Sequence, residues 1–370
     1  MDKIKVLHFP IRNTNGGVTR TAMKYWKFID KDRFHFDFAT CSRKIDFEDE
    51  IISTGSQIHY ISCYGEEDPE QFCDEFRNIL SQGYDAVHLN TNWWKSLLAE
   101  KVAKELGVKV VVVHARNTYV DINDEEKRNR ELAEHERIKK MFDVDMATHL
   151  LACSWEAADF LFGPQIPRDK IRILHNAVDL ARFSYDTAKR EEWRKKLGVE
   201  NEFVIGNVGR IVYQKNPMFL VDCFYEVQKE KQNTKLLLVG DGELEGELKD
   251  RVEELQISDK VILTGQVSDV ENYMQVMDLF AFPTRFEGLG NVLIEAQATG
   301  LKCLTSDNVP RESRVTDNIE YLPLQQNLWI EKIKSYSNGY MRKDMANEIR
   351  NAGYDMKEEI KVLERIYQAD

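Results

Sequence analysis

Short apolar runs alternate with segments of helical period along almost the whole chain. In the first half several runs are nearly continuous, such as Val108-Lys109-Val110-Val111-Val112-Val113. Runs of Val, Ile and Leu of this kind are typical of strands buried on both faces of a parallel sheet. The first half is predicted to contain six strands, Lys5–Phe9, Phe34–Thr40, Ala86–Asn90, Lys109–His114, His149–Cys153 and Ile171–Leu174, and helices from Gly16-Gly17 through Ile29, at Lys95–Leu106 and at Glu125–Phe142.

A second series of the same kind begins after Asp179. Its predicted strands are Phe203–Val208, Lys235–Val239, Lys260–Leu263, Leu279–Phe282 and Lys302–Thr305, and its predicted helices are Pro217–Lys229, Glu243–Leu255, Val270–Met274 and Asn291–Thr299. Strands that alternate with helices predict a doubly wound α/β sheet. The sequence therefore predicts two Rossmann-like α/β domains.

The length of the chain agrees with two domains, because single cores rarely grow beyond roughly 250–300 residues and this chain has 370. We expect domains at 1–180 and 181–352, joined within His175–Arg190, and a final charged helix in 353–370 that packs back on the first domain. Ligands of such sheets bind beyond the carboxyl ends of the strands. Two facing domains would leave a cleft suited to a reaction with two substrates.

Composition and charge remove several classes of protein. The hydrophobic fraction of 42% and the charged fraction of 31% are ordinary for a globular protein. No apolar run reaches the roughly 18 residues of a membrane span, and the first residues enter a strand at once, so we expect a cytosolic protein without a signal peptide. The six scattered cysteines indicate reduced thiols, and the net charge of −12 argues against nucleic acid.

The segment Pro283–Ala296 is the first candidate site. It follows an apolar strand and contains a loop with Gly288 and Gly290 before a helix that carries Glu295. Glycines allow close approach of a ligand, and the first amides of a helix favour an anion. Glu287 and Glu295 would each accept hydrogen bonds from a polyol. The residues alone leave a second interpretation open, an ordinary strand–loop–helix with surface glutamates.

The segment Val208–Pro217 is the second candidate site. A strand again ends at a glycine, Gly209, and Pro217 suits the first position of a helix. Arg210 and Lys215 would reach a diphosphate and stabilise the charge of a leaving group without a metal. A solvated loop with two charges is the alternative.

Other motifs exclude further kinds of ligand site. The turn Asn13–Arg20 is compatible with phosphate, but it has neither the Gly-x-Gly-x-x-Gly of dinucleotide sites nor the Gly-Lys-Ser/Thr of a P-loop. His114 lies at the end of a very apolar strand. This position suggests that it faces the cleft, and the alternative is a structural histidine. Asp143-Val144-Asp145 is interpreted as a chance match to a metal motif. No metal site or cofactor is expected.

Together these segments resemble the glycogen-synthase-like and sucrose-synthase-like retaining glycosyltransferases of family four, in the style of bacterial capsular and exopolysaccharide enzymes. The resemblance covers nearly the whole chain. It is carried by Gly16-Gly17, His114, His175–Asp179, Gly209-Arg210 with Lys215-Asn216, Gly240-Asp241-Gly242, and the pair Glu287 and Glu295. Two residues depart from it, Gly290, where the family often has Phe or Pro, and Asn291, where it has a bulkier apolar residue. Both departures are expected to alter sugar selectivity.

The resemblance implies a GT-B fold, with an acceptor domain at 1–180 and a nucleotide-sugar domain at 181–352. It implies that Glu295 holds ribose and Glu287 the donor sugar, and that His114 contacts this sugar from the first domain. The remaining residues that it implies in donor binding are Gly16, Gly17, Arg210, Lys215, Gly265, Val267, Gly288, Leu289, Gly290, Asn291 and Val292, with Glu287, His114, Lys215 and Arg210 as the catalytic group. UDP is the expected nucleotide.

The acceptor is less clear from the residues. The resemblance implies a glycan or a sugar on a polyprenyl diphosphate, at the inner face of the membrane. The helix from Glu125 is rich in Lys and Arg and either lies near anionic lipid or is solvated and crossed by ion pairs. Trp93-Trp94 either faces an acceptor sugar or packs in the core.

Three other functions compete with glycosyl transfer. A GT-B sugar-nucleotide epimerase would need no acceptor, and the paired glutamates with Arg210 and Lys215 favour transfer over it. An inactive sugar-nucleotide-binding subunit would be expected to have lost one of these four anchors, and all four are present. An NAD-dependent oxidoreductase is disfavoured by the missing dinucleotide motif.

Overall fold

The computed structural model describes residues 3–12, 17–45, 47–120, 122 and 124–368. The chain forms two compact units. Unit 1 consists of residues 1–176 together with 356–370, and unit 2 of residues 177–355.

The centre of unit 1 is a seven-stranded parallel sheet with the strand order β3-β2-β1-β4-β5-β6-β7. Only β3 was not predicted. It has three residues, lies at the edge and is partly exposed, so it carries no apolar run. The strands are β1 (Ile4–Phe9), β2 (Phe34–Thr40), β3 (Ile58–Tyr60), β4 (Ala86–Thr91), β5 (Val110–Ala115), β6 (His149–Ala152) and β7 (Ile171–Ile173).

Helices connect these strands, as parallel pairing requires. Three of them begin at residues whose side chains accept a hydrogen bond from a first-turn amide, namely Asp68, Asp124 and Ser154. The first six helices of the chain are α1 (Gly17–Phe28), α2 (Glu48–Ile52), α3 (Pro69–Leu80), α4 (Leu98–Glu105), α5 (Glu125–Lys139) and α6 (Trp155–Phe162).

Unit 2 is built in the same way around a six-stranded parallel sheet of order β10-β9-β8-β11-β12-β13. Its strands are β8 (Phe203–Val208), β9 (Thr234–Val239), β10 (Val261–Leu263), β11 (Leu279–Phe282), β12 (Lys302–Ser306) and β13 (Ile319–Leu322), of which the edge strand β13 was not predicted. Its helices are α7 (Leu180–Phe183), α8 (Thr187–Leu197), α9 (Pro217–Glu230), α10 (Glu245–Glu254), α11 (Val270–Val276), α12 (Asn291–Ala298), α13 (Gln326–Tyr336) and α14 (Ala346–Asn351). The predicted class, two doubly wound Rossmann-like domains, is confirmed.

The last helix, α15 (Met356–Tyr367), belongs to unit 1. Leu363 is fully buried and Tyr367 is 2% exposed, so one face of the helix is part of the core. The side chain of Glu364 accepts a hydrogen bond from the amide of Asp30, and that of Glu359 accepts one from the amide of His175. Both apolar packing and polar contacts therefore hold the chain end to the first sheet.

Gly300, which follows the end of α12, has a backbone conformation and surroundings in which any other residue would be strained. Its φ is +74°, and a Cβ built there would lie 1.9 Å from the carbonyl oxygen of Lys343. Gly339, in the same unit, has a φ of +84° but open space around it. We expect Gly339→Ala to cost about 1–2 kcal/mol from backbone strain and Gly300→Ala clearly more. Urea unfolding of both variants measures the difference, and equal losses would contradict the steric argument.

Glu100 on α4 makes stability depend on pH. The side chain is 4% exposed, and burial raises its pKa to about 7. The folded state therefore binds the proton more tightly than the unfolded state, and the associated stability is lost as pH rises from the unfolded pKa through about 7. We expect Glu100→Gln to gain on the order of 2–3 kcal/mol relative to wild type at pH 8 and little at pH 4.5. Denaturant unfolding at both pH values checks this, with the exposed Glu105→Gln of the same helix as control.

Candidate functional site

Three loops of unit 2 meet at the carboxyl edge of its sheet. β9, β8 and β11 are neighbours, and all are parallel. The segments 209–216, 240–244 and 283–290 follow these strands directly. The sheet order therefore brings the two candidate segments of the sequence side by side, although they are far apart along the chain.

The central contact joins Lys215 to Glu287. The Lys215 ammonium donates a hydrogen bond to Oε1 of Glu287, and the Thr284 hydroxyl lies 2.8 Å from the same oxygen. Glu287 is 7% exposed, and Lys215 Nζ also lies 4.9 Å from the centre of the Phe282 ring. The predicted sugar carboxylate and the predicted diphosphate cation thus form one ion pair, in which the side chain of Lys215 is 15% exposed and that of Glu287 is 9% exposed. No role was predicted for Thr284 from the sequence.

Hydrogen bonds between the two loops fix this geometry. The Arg285 amide donates to the carbonyl of Gln214 at 2.8 Å, and the Gln214 side chain donates to the carbonyl of Phe286 at 2.9 Å. Asn216 has a φ of +54° and accepts a hydrogen bond from the Arg285 guanidinium at 2.9 Å. No role was predicted for Gln214 from the sequence, and Asn216 was noted only as part of Lys215-Asn216; in the structure both side chains connect the two loops.

Arg210 lies in the same loop as Lys215 and is half-buried. Its Nη2 lies 3.5 Å from Oε1 of Gln214. Since Gln214 also bonds to the carbonyl of Phe286, Arg210 is linked to the segment that carries Glu287. Two cations and one carboxylate therefore share this edge of the sheet.

The motif Gly240-Asp241-Gly242 packs directly on the first loop. A Cβ at Gly240 would lie 2.1 Å from the carbonyl oxygen of Gly209, and one at Gly242 would lie 2.4 Å from that of Ile211. The Ile211 amide donates to the carbonyl of Asp241 at 2.7 Å. Only glycine fits at these two positions, because backbone lies against backbone there.

Gly265 extends this arrangement to β10. The Gly240 amide donates to the Gly265 carbonyl at 3.0 Å, and Gly265 has a φ of +66°. Val267, two residues further, is half-buried. The loop predicted to hold a base therefore lies next to the glycine motif of the neighbouring strand.

α12 begins at the end of the third loop. Gly290 precedes it with a φ of +81° and has no side chain with which to cap the helix, and Asn291 and Val292 start the first turn half-buried. Gly288 and Leu289 are buried. Glu295 lies one turn along this helix and is 7% exposed. The two glutamates of the sequence motif are both buried carboxylates of unit 2, which does not agree with ordinary surface glutamates.

The predicted residues of the first half lie in unit 1. His114 is the fifth residue of β5 and fully buried, and Gly17 is the exposed first residue of α1. Gly16 lies outside the described residues. Asp143 accepts a hydrogen bond from the amide of Asp145 at 2.9 Å and caps a short 3-10 helix, which explains this pair without a metal.

The two segments given alternative interpretations on the acceptor side, Trp93-Trp94 and α5, are both described in the structure. Trp94 is fully buried and donates to the carbonyl of Leu161, so it is a core residue, while Trp93 is half-buried and donates to Glu131. On α5, Arg137 pairs with Glu134 and Lys139 with Glu136. This pattern agrees with the solvated helix crossed by ion pairs.

Within the described ranges, no group of three or more His, Cys, Asp or Glu side chains is arranged to hold a metal ion. Over the same residues, no helix combines the length and apolar character needed to cross a bilayer.

Two family models match the chain, one for each half. The model described as Glycosyltransferase Family 4 matches residues 15–182, and the model described as Glycosyl transferases group 1 matches residues 189–355. The protein therefore belongs to the family-four glycosyltransferases with the GT-B fold, and the resemblance found in the sequence is confirmed.

Named relatives agree with this assignment. EpsF of Bacillus subtilis (strain 168), named as a glycosyltransferase, is 28% identical over 98% of this chain and 96% of its own length. The capsular polysaccharide biosynthesis glycosyltransferase CapH of Staphylococcus aureus is 24% identical over 90% of each chain. The UDP-Gal:alpha-D-GlcNAc-diphosphoundecaprenol alpha-1,3-galactosyltransferase of Escherichia coli is 24% identical over 82% of this chain and 80% of its own.

A solved structure supports the fold. Anabaena HepE in complex with UDP and glucose superposes with a TM-score of 0.78, covering 99% of this chain and 100% of HepE at 16% identity.

Proposed function

We propose that the protein transfers a hexosyl unit from a UDP-sugar to a glycan or a polyprenyl-diphosphate-linked sugar, with retention of anomeric configuration and without a metal. The observation that carries this proposal is the largely buried Lys215–Glu287 pair, which lies beside Arg210 at a glycine-rich edge of unit 2. A carboxylate for hydroxyl groups and cations for a diphosphate at one edge suit a sugar nucleotide and few other ligands.

In the proposed donor complex, Glu295 binds the ribose and Glu287 the sugar hydroxyls. The backbone amides of Gly290 and Asn291, at the start of α12, bind phosphate oxygens, since a helix N-terminus favours an anion. The loop Gly265–Val267 lies against the base. Lys215 would leave Glu287 for the diphosphate when the donor enters, and this exchange frees the carboxylate for the sugar.

The proposed reaction is a front-face displacement. The acceptor oxygen forms a bond to the anomeric carbon on the face from which the diphosphate leaves, and the bond between that carbon and the phosphate oxygen breaks. The departing phosphate oxygen takes the proton of the acceptor hydroxyl. Arg210 and Lys215 stabilise the negative charge on the leaving diphosphate, the role that a metal has in other transferases. His114 contacts the donor sugar, the role that the family resemblance implies for it.

Relatives support the choice of substrates. The Escherichia coli relative is named for a UDP-linked donor and a diphosphoundecaprenol-linked acceptor, and the Staphylococcus aureus relative for capsular polysaccharide biosynthesis. HepE was solved with UDP and glucose. We propose a corresponding role in surface polysaccharide assembly, in the cytoplasm, with peripheral contact at the inner membrane face.

Ligand-dependent stabilisation tests the proposal directly. At a concentration 100 times the Kd, a ligand adds about 2.7 kcal/mol to the stability of the folded state, so a thermal-shift series with UDP-, GDP- and ADP-sugars should single out UDP. EDTA should leave the shift unchanged. Incubation of the stabilising donor with lipid-diphosphate-linked sugars, followed by NMR of the product, should show a new glycosidic bond of the donor's anomeric configuration. An inverted product, an EDTA-sensitive reaction or release of an epimerised nucleotide sugar would each contradict the proposal.

A further inference from the structure

Three histidines form a buried row on one face of the unit 1 sheet. His8, His88 and His114 lie on β1, β4 and β5, which are adjacent strands, and all three side chains are fully buried. His8 and His88 are register partners, and their rings stack with centres 4.7 Å apart. Burial lowers the pKa of His8 to about 3 and those of His88 and His114 well below the usual value. All three rings are therefore neutral, with one N–H each.

A tyrosine of the last helix closes this row into a chain of hydrogen bonds. Nδ1 of His88 lies 2.6 Å from the Tyr367 hydroxyl, and Nε2 of His88 lies 3.1 Å from Nδ1 of His114. The same hydroxyl lies 3.2 Å from Nε2 of His8. The order of groups is thus His8, Tyr367, His88 and His114.

The number of protons permits only two complete sets of hydrogen-bond directions along this row of four groups. Tyr367 has a single hydroxyl proton, and each neutral ring has one donor and one acceptor. If Tyr367 donates to His8, then His88 Nδ1 donates to Tyr367, His114 Nδ1 donates to His88, and Nε2 of His114 is an acceptor. If Tyr367 donates to His88, every bond reverses and Nε2 of His114 becomes a donor.

Among the described residues, the atom at each end of this row of hydrogen bonds has no hydrogen-bond partner. Nδ1 of His8 and Nε2 of His114 are buried and have no hydrogen-bond partner there. A buried polar atom without a partner costs roughly 1–3 kcal/mol, so a ligand hydroxyl bonded to Nε2 of His114 would be stabilising. A sugar hydroxyl both donates and accepts, so it can satisfy Nε2 in either arrangement, and the direction of this bond follows from the tautomer that the row of hydrogen bonds gives to His114.

We propose that Tyr367 is a positioning residue that fixes the tautomer of His114 through His88, and so decides whether His114 donates to or accepts from the donor sugar. This inference rests on the proposed function only for the identity of the ligand at His114. α15 therefore contributes more than packing, because the Tyr367 hydroxyl connects His8 and His88, whose rings also stack, by hydrogen bonds.

Tyr367→Phe removes this link and keeps the ring, and Tyr84→Phe is its matched control. The Tyr84 hydroxyl is also bonded twice within unit 1, to Nε2 of His59 at 2.7 Å and to Oδ2 of Asp37 at 2.9 Å. Tyr84 is 7% exposed, so its loss is a comparable structural change without a connection to His114. His88→Asn, which cuts the chain at its centre, is a second variant for the case in which Tyr367→Phe folds poorly.

The measurement is the set of ¹⁵N shifts of the histidine rings in the full chain without ligand, which separates protonated from unprotonated ring nitrogens. We expect the His114 pattern to change in Tyr367→Phe and to stay as in wild type in Tyr84→Phe. Turnover with UDP-glucose should fall about tenfold in Tyr367→Phe only, the effect of one neutral hydrogen bond.

Three outcomes would overturn the inference: unchanged His114 shifts in Tyr367→Phe, the same change in Tyr84→Phe, or equal turnover of the two variants. Should wild type transfer no sugar at all, the proposed function fails, while the ring shifts still decide whether Tyr367 sets the tautomer of His114.

Discussion

Lys215→Ala should lower the turnover of glycosyl transfer by about 10²-fold or more, the usual effect of removing one fixed donor to a developing negative charge. In the structure this ammonium is held within the Glu287 loop by the carboxylate and lies near the Phe282 ring. In the proposed mechanism it exchanges the Glu287 carboxylate for the diphosphate when the donor binds, so the cation is already close to the site before the donor arrives. Alanine removes the cation and leaves the Glu287 carboxylate, which is 7% exposed, without this partner.

Lys334→Ala is the matched control for this variant. Its side chain is 17% exposed against 15% for Lys215, and it also pairs with a glutamate, Glu230, at 2.7 Å in the same unit. We expect this control to keep the turnover of wild type. Both variants are assayed with UDP-sugar at a temperature at which circular dichroism shows them folded. If transfer survives the combined Lys215→Ala and Glu287→Ala change, the donor site lies elsewhere.

The expected effects of Lys215 and Glu287 do not add, because the two groups are in contact. Either single change disrupts the same pair, so the double variant should lose less activity than the product of the two single losses. A multiplicative loss would mean that the two side chains act independently, as they would if the pair never formed before donor binding.

The sequence predicted the inner strands of both sheets because burial on two faces leaves a strong signal. β2, β8 and β11 were predicted with the bounds that the structure shows. Two of the four edge strands, β3 and β13, were not predicted, because their partly exposed residues form no continuous apolar run, whereas the edge strands β7 and β10 were predicted. The assignment of β3 and β13 depends on pairing with a neighbour, which a local pattern does not contain.

In the candidate site, too, some features could be predicted from the local sequence and others depend on tertiary contacts. Glycines before helices and the charges Arg210, Lys215 and Glu287 were visible locally, since each loop follows an apolar strand. The ion pair itself joins residues 72 positions apart, and it depends on β8 and β11 being neighbours. The contribution of Gln214 also depends on tertiary contact, because its partner Phe286 belongs to the other loop.

Arg194→Met should destabilise unit 2 by about 3–5 kcal/mol, the usual loss when one partner of a buried charge network is removed. α8 has a charged sequence typical of a solvated helix, and no helix was predicted at these residues from the sequence. Arg194 is nevertheless 8% exposed, and it donates to the carbonyl oxygens of Val276 and Glu202 and to Oδ2 of Asp278. Methionine keeps much of the volume and satisfies none of these acceptors.

Asp278 connects this network to β11, the strand that leads to the Glu287 loop. It directly precedes β11, and its Oδ2 also accepts a hydrogen bond from the amide of Val204 at 2.8 Å, so the network fixes the start of the strand whose other end opens into the Glu287 loop. Lys195→Met changes the neighbouring residue of the same helix, which is exposed, and should leave the urea midpoint unchanged. Because Arg194 lies at the opposite end of β11 from the loop, we expect turnover of the folded variant to stay close to wild type. A loss of turnover without a loss of stability would instead mean that the position of β11, and with it the donor loop, depends on this network.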